Sequence, residues 1–205
     1  MSIKAQNKSV APTKLGKRFE KALLFAIRKH AGQVRKKTSV PYIAHLMSVA
    51  GLVLEGGGDE DLAVAALLHD VVEDCGGKPM LDEVRRRFGT RVADVVNGCT
   101  DAYTIPKPPW KKRKQDYLKH LRKSGADVRL VSTADKLHNS RAILADYREE
   151  GESLWERFQG GRNGTLWYYR AVTQELGRTK RNRLVPILER TVSELDTFVT
   201  KRGRK

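Results

Sequence analysis

The chain has 205 residues, 40% of them apolar and 31% charged, which suits a globular protein with a substantial core. Its first residues lack the apolar run of a secretory signal, and no stretch approaches the roughly 18 apolar residues of a membrane span, so a cytoplasmic protein is expected. The net charge of +16 is unevenly placed: residues 1 to 18 carry +5, residues 107 to 123 carry eight bases against Asp116, and residues 178 to 205 carry nine bases against three acids, leaving the remainder at −2. Charge gathered in two termini and one connector reads as solvated ends, so nucleic acid is not an expected partner. Cys75 and Cys99 read as free thiols, and no CxxC pair suggests a zinc site.

Apolar residues recur at three and four residue spacing almost throughout, and alternating β-branched runs are missing, so the chain reads as all-α. The first helix is expected over about 14–31, with Leu15, Phe19, Leu23, Ala26 and Ile27 on one stripe. "VRKKTSVP" breaks it, and Pro41 suits the first turn of a second helix that runs to about Leu54. The glycines at 56 to 58 lack the Lys-Ser/Thr of a phosphate loop and read as a helix stop. A third helix follows, with Asp59, Glu60 and Asp61 at its N-terminal end. Further helices are expected at about 80–88, 90–98, 111–124, 126–149, 152–158, 162–177 and 180–199. The organisation expected is a basic flexible segment over 1–14, one domain over 15–199 and a basic tail over 200–205.

The third helix carries "LLHDVVEDCGG", residues 67 to 77. With His69 at zero and about 100° per residue, Glu73 falls near 40°, Asp70 near 100° and Asp74 near 140°, while Leu67, Leu68, Val71 and Val72 share the opposite face. Charge of this kind can be a solvated acidic face. The preceding "LAVAALL" is apolar nearly all round, however, so the helix reads as central and its polar residues as lining a cavity. Imidazole and carboxylate together suit Mn²⁺, Fe²⁺ or Zn²⁺, and His45 and Asp135, each among apolar neighbours, are candidates to complete the set with His69 and Asp70.

The order His45, His69-Asp70, Asp135 resembles the HD superfamily of metal-dependent phosphohydrolases, which implies a helical bundle of about eight to ten helices around a metal site. More narrowly, "RKKTSVPYIAH", "LLHDVVEDC" and "ADKLHN" resemble the hydrolase domain of RelA/SpoT homologues and the stand-alone small alarmone hydrolases, over about residues 15 to 177. That family removes the 3′-pyrophosphate from guanosine tetra- and pentaphosphate. The resemblance implies that His45, His69, Asp70 and Asp135 bind one divalent metal, Mn²⁺, and that Glu73 and Asp74 are the catalytic carboxylates. It also implies that Arg35, Lys36 and Asn139 contact the nucleotide, with Lys136 in an ion pair or on phosphate. His138 is not a ligand in the family motif and reads as surface. Of Trp167, Tyr168 and Tyr169, adjacent in sequence, at least one belongs to the core. Leu46, Cys75 and Ser132 depart from the family's Pro, Thr and Lys, and the Arg-Lys loop is one residue longer than the commonest pattern.

The leading expectation, which rests on that resemblance, is an Mn²⁺-dependent pyrophosphohydrolase of guanosine tetra- and pentaphosphate that releases pyrophosphate and GDP or GTP, with no synthetase activity. A second keeps the chemistry but takes adenosine polyphosphates or another nucleotide phosphate, in the manner of an antitoxin. A third is a nucleic-acid-binding protein with a vestigial site. A homodimer is left open.

Overall fold

The helical spacing resolves into ten α-helices and one 3-10 helix in a computed structural model that describes residues 13–104, 106–178 and 182–202. In order these are α1 (Lys17–Lys29), α2 (Ile43–Glu55), α3 (Glu60–Leu68), α4 (Val71–Cys75), α5 (Gly77–Phe88), α6 (Thr90–Cys99), α7 (Trp110–Lys123), α8 (Ala126–Glu150), a 3-10 helix (Gly151–Arg157), α9 (Gly161–Gly177) and α10 (Val185–Arg202). Pairing of β type is limited, among the described residues, to one antiparallel bridge between Val34 and Pro41. Most of the segment expected over 1–14, and residues 203–205 of the expected tail, lie outside the described residues.

Helix α3 is the hub. Asp59 caps it by accepting from the Leu62 amide at 3.1 Å, and Glu60 and Asp61 sit in its first turn, where the helix dipole favours acids. Every residue from Leu62 to Leu68 is buried, because α1, α2, α6 and α8 pack around the helix. Leu67, Leu68, Val71 and Val72 are wholly shielded, as the apolar face requires; each contributes about 1.5–3 kcal/mol relative to exposure.

The sequence expectation of one continuous third helix is corrected. The helix stops at Leu68, the backbone at Asp70 opens to φ −99°, ψ −6°, and a five-residue helix, α4, carries Glu73 and Asp74. Gly77, at φ 61°, turns the corner into α5, three residues earlier than expected. A Cβ there would stand 2.5 Å from the Tyr103 carbonyl oxygen, so the glycine lets the α6–α7 connector lie against the start of α5.

Other boundaries shift for local reasons. Pro41 precedes α2 because its chain pairs with Val34 and its carbonyl accepts from the Ala44 amide at 3.0 Å. The expected helix over 152–158 is a 3-10 helix, begun by Gly151 at φ 64° and closed by hydrogen bonds from Tyr147 Oη to Glu152 and from Ser153 Oγ to the Glu150 carbonyl. The last helix continues to Arg202, beyond the expected end at 199.

Candidate metal centre

Four side chains from three places in the sequence meet where α2, the α3–α4 break and α8 converge. His45 Nε2 lies 3.3 Å from His69 Nε2, 3.6 Å from Asp70 Oδ2 and 3.4 Å from Asp135 Oδ1. His69 Nε2 lies 3.0 Å from Asp70 Oδ2 and 3.7 Å from Asp135 Oδ1. Ligands bound at about 2.1 Å stand roughly 3.0 Å apart around an octahedral ion and roughly 3.4 Å apart around a tetrahedral one, so these separations fit one small divalent cation. Ligand atoms of His45, His69 and Asp70 all lie within 4.8 Å of one another, and Asp135 adjoins that group through the two imidazoles. The break after Leu68 is what lets sequence neighbours His69 and Asp70 converge, since adjacent residues on a continuous helix do not face each other.

Each donor is held by a partner of its own. His69 Nδ1 is 2.8 Å from the Ala66 carbonyl oxygen, which fixes its proton there and turns the Nε2 lone pair inward. Tyr42 Oη donates to Asp70 Oδ2 at 2.5 Å. Asp135 accepts from Asn139 Nδ2 and pairs with Lys136 Nζ. His45 Nδ1 meets His138 Nδ1 at 2.8 Å. Burial works against the Asp70 and Asp135 carboxylates, yet the facing imidazoles, with Lys136 beside Asp135, hold both well below the usual carboxylate range. Burial likewise opposes a charged His69, but Asp70 and Asp135 hold its pKa well above the ordinary value, so these carboxylates favour positive charge at this point.

Asp70 and Asp135 line a cavity of about 540 Å³, of a size that suits a nucleotide, and with the two imidazoles buried against them they make its floor. On its rim Glu73 and Asp74 both accept from Lys107 Nζ, at 2.7 and 3.2 Å. Burial, then the charges of Asp101 and Asp70, push Glu73 up to about 7 against the pull of Lys107. Asp101 is itself buried, bound at 2.6 Å by both Arg113 Nη1 and Lys114 Nζ. Asp74 accepts from Gln33 Nε2 at 3.0 Å.

One side of the cavity is cationic, lined by Arg35, Lys36, Lys107, Arg113 and Lys114. Burial, together with the charges of Lys114, Lys107 and Arg113, lowers the Lys36 pKa, the signature of a cation crowded by cations. The loop that carries Arg35 and Lys36 is pinned by Arg35 N to the Val40 carbonyl at 2.9 Å and Tyr42 N to the Gln33 carbonyl at 2.9 Å, with Lys37 in the left-handed region at φ 54°.

Of the residues expected from sequence, Asp70, Asp135, Glu73, Asp74, Arg35, Lys36, Asn139 and Lys136 line this one cavity, and His45 and His69 are buried against Asp70 and Asp135. Asn139 and Lys136 also have partners within the chain. Asn139 is occupied between Arg35, whose Nη2 donates to its Oδ1 at 2.7 Å, and Asp135, and Lys136 is the counter-ion of Asp135. His138 is not a surface residue: it is half-buried against His45, and burial, His45 and Arg35 bring its pKa down to about 4. Tyr168 and Tyr169 are both buried and both line the cavity. Sequence reasoning missed Tyr42, Asp101, Lys107, Arg113 and Lys114. Only the basic run 107–123 signalled any of them, and it reads equally as a solvated connector.

The departures from the family pattern have local explanations. Leu46 is fully buried core. Ser132 accepts or donates to Tyr117 Oη at 2.8 Å in the interior. Cys75 Sγ donates to the Lys29 carbonyl at 3.3 Å, tying the end of α4 to α1, and burial followed by the nearby Asp74 pushes its thiol up to about 11. It is an anchoring thiol, not a nucleophile.

Comparison with known proteins bears on what this cavity does. A protein-family model described as HD domain matches residues 22–166. Over 122 residues the chain is 42% identical to the Homo sapiens guanosine-3′,5′-bis(diphosphate) 3′-pyrophosphohydrolase MESH1, covering 58% of this chain and 65% of the human protein. Over 135 residues it is 36% identical to the guanosine-3′,5′-bis(diphosphate) 3′-pyrophosphohydrolase of Aquifex aeolicus, covering 64% of this chain and 18% of that protein. The aligned part therefore spans less than two thirds of these relatives. A solved structure of a metazoan orthologue of SpoT, described as hydrolysing ppGpp, is similar with a TM-score of 0.72 at 28% identity, covering 93% of this chain and 98% of that one. A structure from Listeria monocytogenes EGD-e is similar with a TM-score of 0.65 at 28% identity, covering 74% and 97%.

Proposed function

The chain belongs to the HD-domain family, and on that premise we propose that it is a metal-dependent pyrophosphohydrolase that removes the 3′-pyrophosphate from guanosine tetra- and pentaphosphate, giving GDP or GTP. The observation that carries the reading is the convergence of four metal-type donors beneath a cationic wall, with a carboxyl poised near neutrality between them. His45, His69, Asp70 and Asp135 hold the ion, which we take to be Mn²⁺. When bound, such an ion supplies Lewis acidity and lowers the pKa of a coordinated water.

The remaining steps fall to the chain's own groups. Lys36, Lys107, Arg113 and Lys114 take the polyphosphate, and Arg35 lines the same wall. A water oxygen bonds to the phosphorus carried on the 3′-oxygen, and the bond from that phosphorus to the 3′-oxygen breaks. Glu73 and Asp74 take the water's proton and return one to the 3′-oxygen; a group that titrates near 7 serves either direction at neutral pH. No helix of the described residues is long and apolar enough to cross a membrane, and we read the protein as cytoplasmic, with the small nucleotide as its partner.

The names of the relatives support guanosine over adenosine as the nucleoside. The test is product analysis. Guanosine tetraphosphate incubated with protein and Mn²⁺ yields GDP and pyrophosphate, and chelator stops it. Turnover of adenosine polyphosphates with none of the guanosine compound would overturn the nucleoside assignment while leaving the metal chemistry intact.

A further inference from the structure

The contact between His45 and His138 joins residues 93 apart in sequence, with ring centroids 4.8 Å apart and planes tilted by 51°. Two imidazole nitrogens at 2.8 Å share a single proton, so one Nδ1 donates and the other accepts. The direction follows from the opposite edge of His45. Its Nε2 faces His69 Nε2, Asp70 Oδ2 and Asp135 Oδ1 at 3.3 to 3.6 Å, and a cation taken up among those atoms needs a lone pair on Nε2. The His45 proton then resides on Nδ1, and His138 Nδ1 is its acceptor.

We propose that His138 is a positioning residue for the cation site: by accepting from His45 Nδ1 it fixes the tautomer and ring plane in which His45 Nε2 faces the ion. The arrangement completes a pattern. The Ala66 carbonyl does this for His69, Tyr42 serves Asp70, and Asn139 with Lys136 serves Asp135. At His45 Nδ1 the partner is a second imidazole, that of His138. His138 and Asn139 are adjacent on α8, so one turn of that helix steadies His45 from α2 and Asp135 from α8 itself.

The inference does not depend on which nucleotide is cleaved, and its test reads metal binding. Metal-stripped protein is titrated with Mn²⁺ by calorimetry, as wild type, His138→Ala and His138→Gln. His138→Ala weakens Mn²⁺ binding by about 10- to 100-fold, the range for losing the partner of a ligating imidazole, and His138→Gln, whose amide oxygen can accept, recovers most of it. In the Zn²⁺-loaded wild type, nitrogen-15 spectra of the histidine rings show the His45 proton on Nδ1. Equal Mn²⁺ affinity in wild type and His138→Ala overturns the inference, as does a His45 proton on Nε2 in the Zn²⁺-loaded wild type or a wild type that binds no Mn²⁺. The spectra of the wild type decide the matter if His138→Ala does not fold. Normal Mn²⁺ behaviour in a protein that cleaves no guanosine polyphosphate would count against the proposed substrate and not against His138.

Discussion

At the floor of the cavity His45, His69, Asp70 and Asp135 come from helices or a helix break, are mostly buried, and each has a partner that fixes its orientation. Along the wall, Lys36 and Lys107 come from loops, Arg113 and Lys114 from the first turns of α7, and like charges crowd one another. Asp101 offsets part of that crowding for Arg113 and Lys114, and Glu73 and Asp74 for Lys107. The floor is thus organised before any ligand arrives, and it suits one small hard ion. On the wall the crowding falls on Lys36, whose pKa burial and its cationic neighbours lower, and a polyanion would relieve it. Substitutions in the floor should act as switches, and substitutions in the wall should act in graded, salt-dependent fashion.

The largest effect expected is at the floor. Asp70→Ala or His69→Ala abolishes metal-stimulated pyrophosphate release, a loss beyond about 1,000-fold; retention of activity in either would remove the basis for treating the floor as the metal centre. Next comes Glu73→Gln, between floor and wall, with kcat down by about 10²- to 10⁴-fold and KM little changed. The same variant tests the charge balance. Glu73 titrates at about 7 against an ordinary value of 4.5, so the folded chain holds its proton more tightly than the unfolded one. The cost of ionising it in place is absent below pH 4.5 and complete above pH 7. In metal-free protein Glu73→Gln should therefore stabilise relative to wild type at pH 8, by on the order of 2 kcal/mol after allowing for its partial exposure, and by almost nothing at pH 4. Equal melting shifts at both pH values would contradict that.

Wall substitutions should be milder. Lys36→Ala and Lys114→Ala are expected to raise KM by about 10-fold each with smaller effects on kcat, and to flatten the rise of KM with ionic strength. If either behaved like Asp70→Ala, the contrast between floor and wall would fail. Asn139→Ala is expected to have the smallest effect. It loses one hydrogen bond to Asp135 while Lys136 remains, so Mn²⁺ affinity should fall only several-fold, about 1 kcal/mol.

The parts legible in the sequence were those whose chemistry and spacing lie within one element. Helical periodicity placed most elements to within a few residues, and His69-Asp70 with Glu73-Asp74 inside an apolar run marked a candidate reaction centre beside the reading of a solvated acidic face, a choice that only the family resemblance tipped. Partners brought together by tertiary packing were not legible. Nothing near His138 in the sequence points to His45, and nothing near Asp101 points to Arg113's guanidinium or to Glu73. The break after Leu68 was also hidden, because "LAVAALLHDVVEDC" contains no glycine or proline to mark it, and the wheel drawn through His69 and Glu73 treated two short helices as one. The side of the break that matters for packing survived that error, since Leu67, Leu68, Val71 and Val72 are buried on either account.

That interruption also bears on transplantation. On the proposed reading, the dipeptide His69-Asp70 chelates only together with its backbone bend, with the Ala66 carbonyl and Tyr42 as its partners. Copied onto a regular helix of a designed scaffold, the same two residues would point about 100° apart and grip nothing in common. A designer who wants this motif must graft the kink with the residues, and a substitution that straightened residues 66 to 72 would dismantle the centre without altering a single ligand.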